Sequence, residues 1–242
     1  GRMGVGDSGP LRALPRTFLL EVPDPAPSRL ELPEAELHKL RRVLRLGTGD
    51  AFALLPGDGR LLRCELEGLE ARVLETIHPQ TESKLRLTVA LALSKPDALE
   101  SAVRMGTEIG VARFVLFPSA RSVVRWEPRQ QSDKLERLRR IAREASEVAY
   151  RTVVPEVSTL GSLEEAMASH DPWWALSEQE SAPVGMPDLG DSPMLLFGPE
   201  GGWAPHEVEQ IAGRAVSLGP RVMLVSTAVA AAATLALSQA SL

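Results

Sequence analysis

The chain has 242 residues, a formal net charge of −5 and 44% hydrophobic residues, enough for a real core in one large or two modest domains. The negative balance excludes coating of nucleic acid by bulk positive charge, so any such contact must come from local cationic stripes. A lone Cys64 and four scattered histidines exclude an intrachain disulfide and a multi-cysteine zinc site, and no metal is expected.

Gly1 to Pro10 is polar and glycine-rich, without the basic-then-apolar pattern of a leader peptide, and Gly1-Arg2 before Met3 reads as a cloning remnant. The expected compartment is the cytoplasm. Thr17 to Val22 reads as a strand, followed by a proline-rich loop from Pro23 to Pro27 and a helix from Glu34 to Val43. That helix puts Leu37, Leu40, Val43 and Leu44 on one face and leaves Lys39, Arg41, Arg42 and Arg45 mostly off it. The four cations are either a solvated face or a phosphate-contacting patch.

Three strands then follow closely: Ala51 to Leu55, Arg60 to Leu66 after the turn Pro56-Gly57-Asp58-Gly59, and Ala71 to Ile77. Short antiparallel strands joined by turn residues predict a small barrel or curled sheet, so residues 1–80 form a β-rich domain. A polar linker follows, and residues 84–242 form a second domain with a β-α-β-α rhythm.

In that domain the pattern predicts strands over Leu85 to Leu93, Arg113 to Phe117, Val153 to Val157, Trp173 to Ser177, Met194 to Phe197 and Ala215 to Leu218. Helices are expected over Asp97 to Ile109 with Gly110 as its stop, Gln131 to Tyr150, Ser162 to Ala168, and Pro205 to Gln210. The last helix, Ala228 to Leu237, is capped by Ser226 or Thr227 and is apolar all round, so it must be buried inside the domain or against a second subunit. The apolar run Val222 to Leu237 falls short of the roughly 20 residues that cross a bilayer, and no membrane contact is expected.

Two turns organise the C-terminal third: Phe197-Gly198-Pro199-Glu200-Gly201-Gly202 and Ser217-Leu218-Gly219-Pro220-Arg221. Each sits between a strand pattern and a helix pattern, where α/β domains carry their chemistry. Neither loop has the lysine of a P-loop nor GxGxxG spacing, which disfavours a phosphate cradle. Lined by Phe197, Leu218, Val222 and Met223, the pair better suits a bent cofactor with an uncharged purine, held by backbone bonds and apolar contact.

These motifs resemble the paired signature of the RsmE family, 16S ribosomal RNA uridine N3-methyltransferases of the SPOUT superfamily. The same order runs through Ser94-Lys95, Thr107-Glu108-Ile109-Gly110-Val111, Arg121, Arg151 and Val154-Pro155-Glu156-Val157, and through His38, Leu40, Val43-Leu44-Arg45 and Gly49-Asp50 in the first domain. The likeness spans roughly residues 16 to 237. It implies an α/β fold: a SPOUT-type domain with a deep trefoil knot, preceded by a small PUA-like β-barrel that helps hold RNA. It also implies a homodimer, S-adenosyl-L-methionine as cofactor, and 16S rRNA or the assembled small subunit as partner.

Residue by residue, the resemblance assigns cofactor contacts to Leu176, Phe197, Gly198, Pro199, Gly201, Gly202, Ser217, Leu218, Gly219, Val222, Met223 and Thr227. Glu200 and Arg121 are the catalytic candidates, Glu200 as a base or as a loop-holding acceptor. RNA contacts fall to Arg16, Lys39, Arg41, Arg42, Arg45, Arg121, Arg151 and Arg221. Where the family has arginine and glutamate after its Gly-Pro-Arg, this chain has Leu224 and Ser226, so a protein that binds without methylating, or methylates another RNA, stands as an alternative.

Overall fold

Period-two alternation in the first part of the chain produces a sheet. In the computed structural model, which describes residues 9–240, a single turn α1 (Gly9–Arg12) precedes β1 (Arg16–Phe18) and β2 (Arg29–Glu31), followed by α2 (Glu34–His38). The expectations for the first eight residues lie outside the described ones. A wider turn over Lys39–Val43 prolongs α2, and β3 (Ala51–Leu55), β4 (Leu61–Glu67) and β5 (Glu70–Ile77) form an antiparallel meander.

On β4, Leu62, Cys64 and Leu66 are buried while Arg63 is exposed, the signature of a strand with one packed face. Two pairings lie outside the expected pattern. β1 lies parallel to β3, and β2 pairs antiparallel with β5, giving the order β1-β3-β4-β5-β2. The expected strand over Thr17 to Val22 ends at Phe18, and Glu21 takes a φ of 68°, outside the strand region.

Leu32, Leu40, Phe52, Leu54, Leu62 and Leu66 form the main core of this unit, and Phe18, Ala53, Leu55 and Leu61 a second cluster that Val154 helps cover. Arg60 is 2% exposed, and its guanidinium is satisfied by Asp58 and by the Val22 and Pro23 carbonyls at 2.7 Å each. It pins the Pro56–Gly59 turn to the proline-rich loop. The unit comprises the chain to Glu82 together with Ser146–Val154.

The second unit, Ser83–Ala145 with Pro155–Leu242, alternates strands and helices. In chain order these are β6 (Thr88–Ala92), α3 (Pro96–Ile109), β7 (Arg113–Phe117), α4 (Pro128–Val148, which belongs to this unit as far as Ala145), β8 (Glu156–Thr159), α5 (Leu163–Ser169), β9 (Trp173–Leu176), β10 (Met194–Phe197), α6 (Pro205–Ile211), β11 (Ala215–Val216) and α7 (Val225–Leu237). The six strands form one parallel sheet of order β11-β9-β10-β6-β7-β8. β6 and β10, in the middle, are buried at every residue, as their unbroken apolar runs require.

Gly110 ends α3 with a φ of 121°, as its position predicts. The start of α7 differs from expectation: Leu224 occupies the cap position without a side-chain bond, and Ser226 and Thr227 lie inside the first turn. Val225, Val229, Ala232, Ala233 and Ala236 are buried and the helix packs on α3, yet Thr234 and Leu235 are exposed. The chain alone therefore covers one side of α7. Among the described residues no helix is long and apolar enough to cross a membrane, and no group of three or more His, Cys, Asp or Glu could hold a metal ion.

Candidate functional site

Parallel strands all point the same way, so the loops that leave their carboxyl ends gather at one edge of the sheet. The loops after β9, β10 and β11, with the first turn of α7 and Arg121, enclose a cavity of about 450 Å³. Its walls include Leu176, Phe197, Leu218 and Met223, and its loop backbone runs through Gly198, Gly201 and Gly219.

The loop after β10 is held by its own sequence. Gly202 has a φ of 74°, and its N–H donates to the Pro199 carbonyl at 2.9 Å, closing the turn. At Gly198 a Cβ would stand 3.1 Å from the Trp203 ring. That ring lies parallel to Phe117 with centroids 6.3 Å apart, and its Nε1–H donates to the Leu176 carbonyl at 2.8 Å. Trp203 thus ties the loop after β10 to the end of β9.

Glu207 provides the second tie. It is 3% exposed, and its carboxylate accepts from the Ala204 N–H at 2.9 Å, from the Ser119 hydroxyl at 2.8 Å and from the Ala120 N–H at 3.3 Å. Its place in the first turn of α6 by itself suits the positive end of that helix. In the structure it fastens the start of α6 to the segment that carries Arg121.

Charged groups meet at the cavity. Arg121 Nη1 donates to the Gly201 carbonyl at 3.2 Å, Arg221 lines the same space, and Glu200 is exposed with Oε1 accepting from the Lys95 N–H at 3.3 Å. All the expected cofactor residues line the cavity except Ser217 and Thr227. Ser217 is buried in the turn itself: its N–H donates to Pro183, its carbonyl accepts from Gly185, and its hydroxyl contacts the Gly219 backbone at 3.1 Å. Thr227 sits exposed on α7, off the lining.

Gly201 lines the cavity with less demand on its residue type than its neighbours. A Cβ there would meet Arg121 at 3.6 Å, an ordinary contact, so the demand for glycine rests on the close Trp203 ring at Gly198 and on the positive φ at Gly202. Sequence reading also missed Ser177, Glu178 and Gln179, which line the cavity just past β9, and Trp203 beside the glycine turn. The same strand-to-loop logic applied to β9 would have found the first three.

The remaining cationic candidates belong to the first unit. Arg42 and Arg45 are exposed, and Arg45 has a φ of 59°. Arg41 donates to the Gly68 carbonyl, and Lys39 is half-buried in an ion pair with Glu147. Arg16 lies 4.2 Å above the Tyr150 ring and donates to the Leu11 carbonyl at 2.9 Å. Arg151 is placed differently from the RNA-contacting role expected of it: it is 3% exposed and its guanidinium grips the Glu82 carboxylate, Nε to Oε2 at 3.0 Å. Burial leaves it a structural ion pair.

Comparison with known proteins bears on this geometry. A family model described as RNA methyltransferase domain matches residues 81–237. The chain is 32% identical over 213 residues to ribosomal RNA small subunit methyltransferase E of Bacillus subtilis, with 80% of this chain and 83% of that protein covered. It is 35% identical over 212 residues to the protein of the same name from Synechocystis, with 81% and 69% covered. A crystal structure of ribosomal RNA small subunit methyltransferase E from Neisseria gonorrhoeae, bound to S-adenosyl methionine, superimposes with a TM-score of 0.83 at 25% identity over 91% of this chain and 96% of that one.

Proposed function

Because the chain belongs to the ribosomal RNA small subunit methyltransferase E family, we propose that it methylates N3 of a uridine in 16S rRNA, using S-adenosylmethionine bound in the cavity at the ends of β9, β10 and β11. The cavity carries this reading. Its volume of about 450 Å³ lies in the range of small-molecule sites. Leu176, Phe197, Leu218 and Met223 suit an uncharged purine, and the glycine-bearing loops offer backbone groups for its edges.

When bound, the cofactor supplies an electrophilic methyl group on a sulfonium. The work of the chain is to place the uridine N3 in line with that methyl and to manage one proton and one developing charge. Arg121, anchored on the Gly201 carbonyl, and Arg221 stand at the cavity, where a guanidinium stabilises negative charge growing on a uracil carbonyl or holds the adjoining phosphate. Glu200 is the candidate acceptor for the N3 proton. Its contact with the Lys95 N–H fixes that carboxylate near the loop.

The reading extends to the rest of the molecule. The five-stranded unit would act as the PUA-like RNA-holding domain, with Arg42 and Arg45 as its free-facing cations. The order β11-β9-β10 and the return of α7 onto α3 and β10 support a knotted C-terminal crossing. The protein would work as a homodimer in the cytoplasm.

A second reading, cofactor and RNA binding without turnover, is favoured by Leu224, which is 74% exposed at the cavity where the family pattern has arginine. The experiment is incubation with methyl-labelled cofactor and small ribosomal subunits, followed by nucleoside analysis. Label in N3-methyluridine is the expected result. Cofactor binding by calorimetry with no label in uridine would establish the second reading instead.

A further inference from the structure

A second cavity, of about 370 Å³, opens in the same unit between the start of α3, the middle of α4 and the loop that joins β7 to α4. Pro96, Leu99 and Leu138 give it apolar walls, Trp126 an aromatic one, and Lys134 with the Glu100–Arg137 ion pair its polar groups. Leu99 and Leu138 are 2% and 3% exposed, so its floor is part of the packed core, whereas Trp126 is only half-buried. The Lys134 ammonium lies 5.8 Å from the centre of the Trp126 ring. An aromatic ring with a cation over one face, in a cavity with apolar walls, offers the two functions that bind a base together with its phosphate.

The surroundings fit the same ligand. Between Arg121 and Arg140 the chain carries seven cations against three carboxylates, in a protein whose net charge is −5. Arg125 and Arg129 in this stretch are exposed. Positive charge is therefore concentrated where the whole-chain balance opposes it, which is how a protein of this net charge attracts a polyanion. The loop also joins the two cavities covalently: Arg121 lines the first and Trp126 the second, and five residues span at most about 18 Å.

We infer that the Trp126 cavity is a second RNA subsite, which takes an unpaired nucleotide flanking the one that reaches the Gly198–Gly202 loop, by stacking its base on Trp126 and pairing its phosphate with Lys134. A base within a duplex keeps its faces stacked and cannot enter, so the site selects single-stranded RNA. Arg137, held by Glu100, presents a fixed donor edge at the rim. The subsite rests on the methyltransferase reading for its place in catalysis, but its RNA binding stands apart from methyl transfer.

The test uses the full chain and a single-stranded oligoribonucleotide of mixed sequence, with a perfect duplex of the same sequence as comparison. Trp126→Ala is expected to weaken single-strand binding about tenfold, the loss of one stacked base, and to leave cofactor affinity unchanged. Trp126→Phe keeps a stacking face and restores most of the binding, and Lys134→Gln lowers the salt slope by about one phosphate contact. Tryptophan fluorescence quenched by the single strand and not by the duplex, and absent in Trp126→Phe, would place the base on this ring. A folded Trp126→Ala protein that binds and methylates rRNA like the parent overturns the subsite and leaves the proposed function standing. Trp126-dependent binding by a parent that transfers no methyl group supports the subsite and removes the enzyme reading, and a parent that binds no RNA overturns the subsite.

Discussion

Gly201 and Gly202 are neighbours in one turn, yet the backbone treats them differently. Gly202 holds a φ of 74°, whereas a Cβ on Gly201 would only touch Arg121. Gly202→Ala is expected to cost about 1–2 kcal/mol locally and to weaken cofactor binding roughly tenfold, while Gly201→Ala binds within about twofold of the parent. Calorimetric titration of both variants checks this. His170 sits at the opposite end of β6, with Nε2 3.2 Å from the Thr88 hydroxyl and Nδ1 3.0 Å from that of Ser169. Burial, with a smaller contribution from Arg113, lowers its pKa below the ordinary 6.5. The unfolded chain then binds the proton more readily than the folded one, so stability falls as pH drops through about 6.5 toward the folded-state value. A His170→Gln variant should show a flatter stability curve between pH 7 and 5 in denaturant titrations, and an unchanged slope would remove the histidine as its source.

At the scale of elements, α6 and α2 each depend on a single residue at one end. Glu207 satisfies the Ala204 N–H at the start of α6 and the Ser119–Ala120 segment together. Glu207→Ala strands those donors, so it is expected to cost about 2–4 kcal/mol and to weaken cofactor binding because the Arg121 segment loses its tie. Chemical denaturation alongside calorimetry separates the two effects. After α2 the chain turns through Arg45 in the left-handed region, with the Leu46 N–H donating back to the Leu40 carbonyl at 2.9 Å. That closure is normally made by glycine. Arg45→Gly is therefore expected to stabilise the protein by about 0.5–1 kcal/mol while lowering RNA affinity, whereas Arg45→Ala loses the charge without the gain. Equal stability of the two variants would show that the backbone there carries no strain.

For the molecule as a whole, the exposed apolar side chains around α7 set a prediction about assembly. Val222, Leu224 and Leu235 are 80%, 74% and 46% exposed, and all lie on or just before this helix. In the proposed homodimer a second copy covers them. Leu235→Asp should shift sedimentation velocity profiles from dimer to monomer with the fold intact, since an unpaired charge is costly to bury. A parent protein that sediments as a monomer would remove the dimer.

The strands Ala51–Leu55, Arg113–Phe117 and Met194–Phe197 were legible to the residue, because apolar runs bounded by turn or charged residues declare themselves locally. So were the two glycine loops, since each lies between a strand pattern and a helix pattern. β2 was not, because a three-residue edge strand with two exposed side chains carries no periodic signal. Nor does the even helical spacing of α4 announce that Ser146–Val154 belongs to the first unit, where Arg151 finds Glu82. Sequence by itself determined most of the elements, the order of the motifs and the family, because these are properties of neighbours along the chain. Only the tertiary structure decided which loop residues face the cavity, that Glu207 and Trp203 fasten it, that Arg151 is buried, and that Trp126 walls a second cavity. Those depend on contacts between residues distant in sequence, and no local pattern records them.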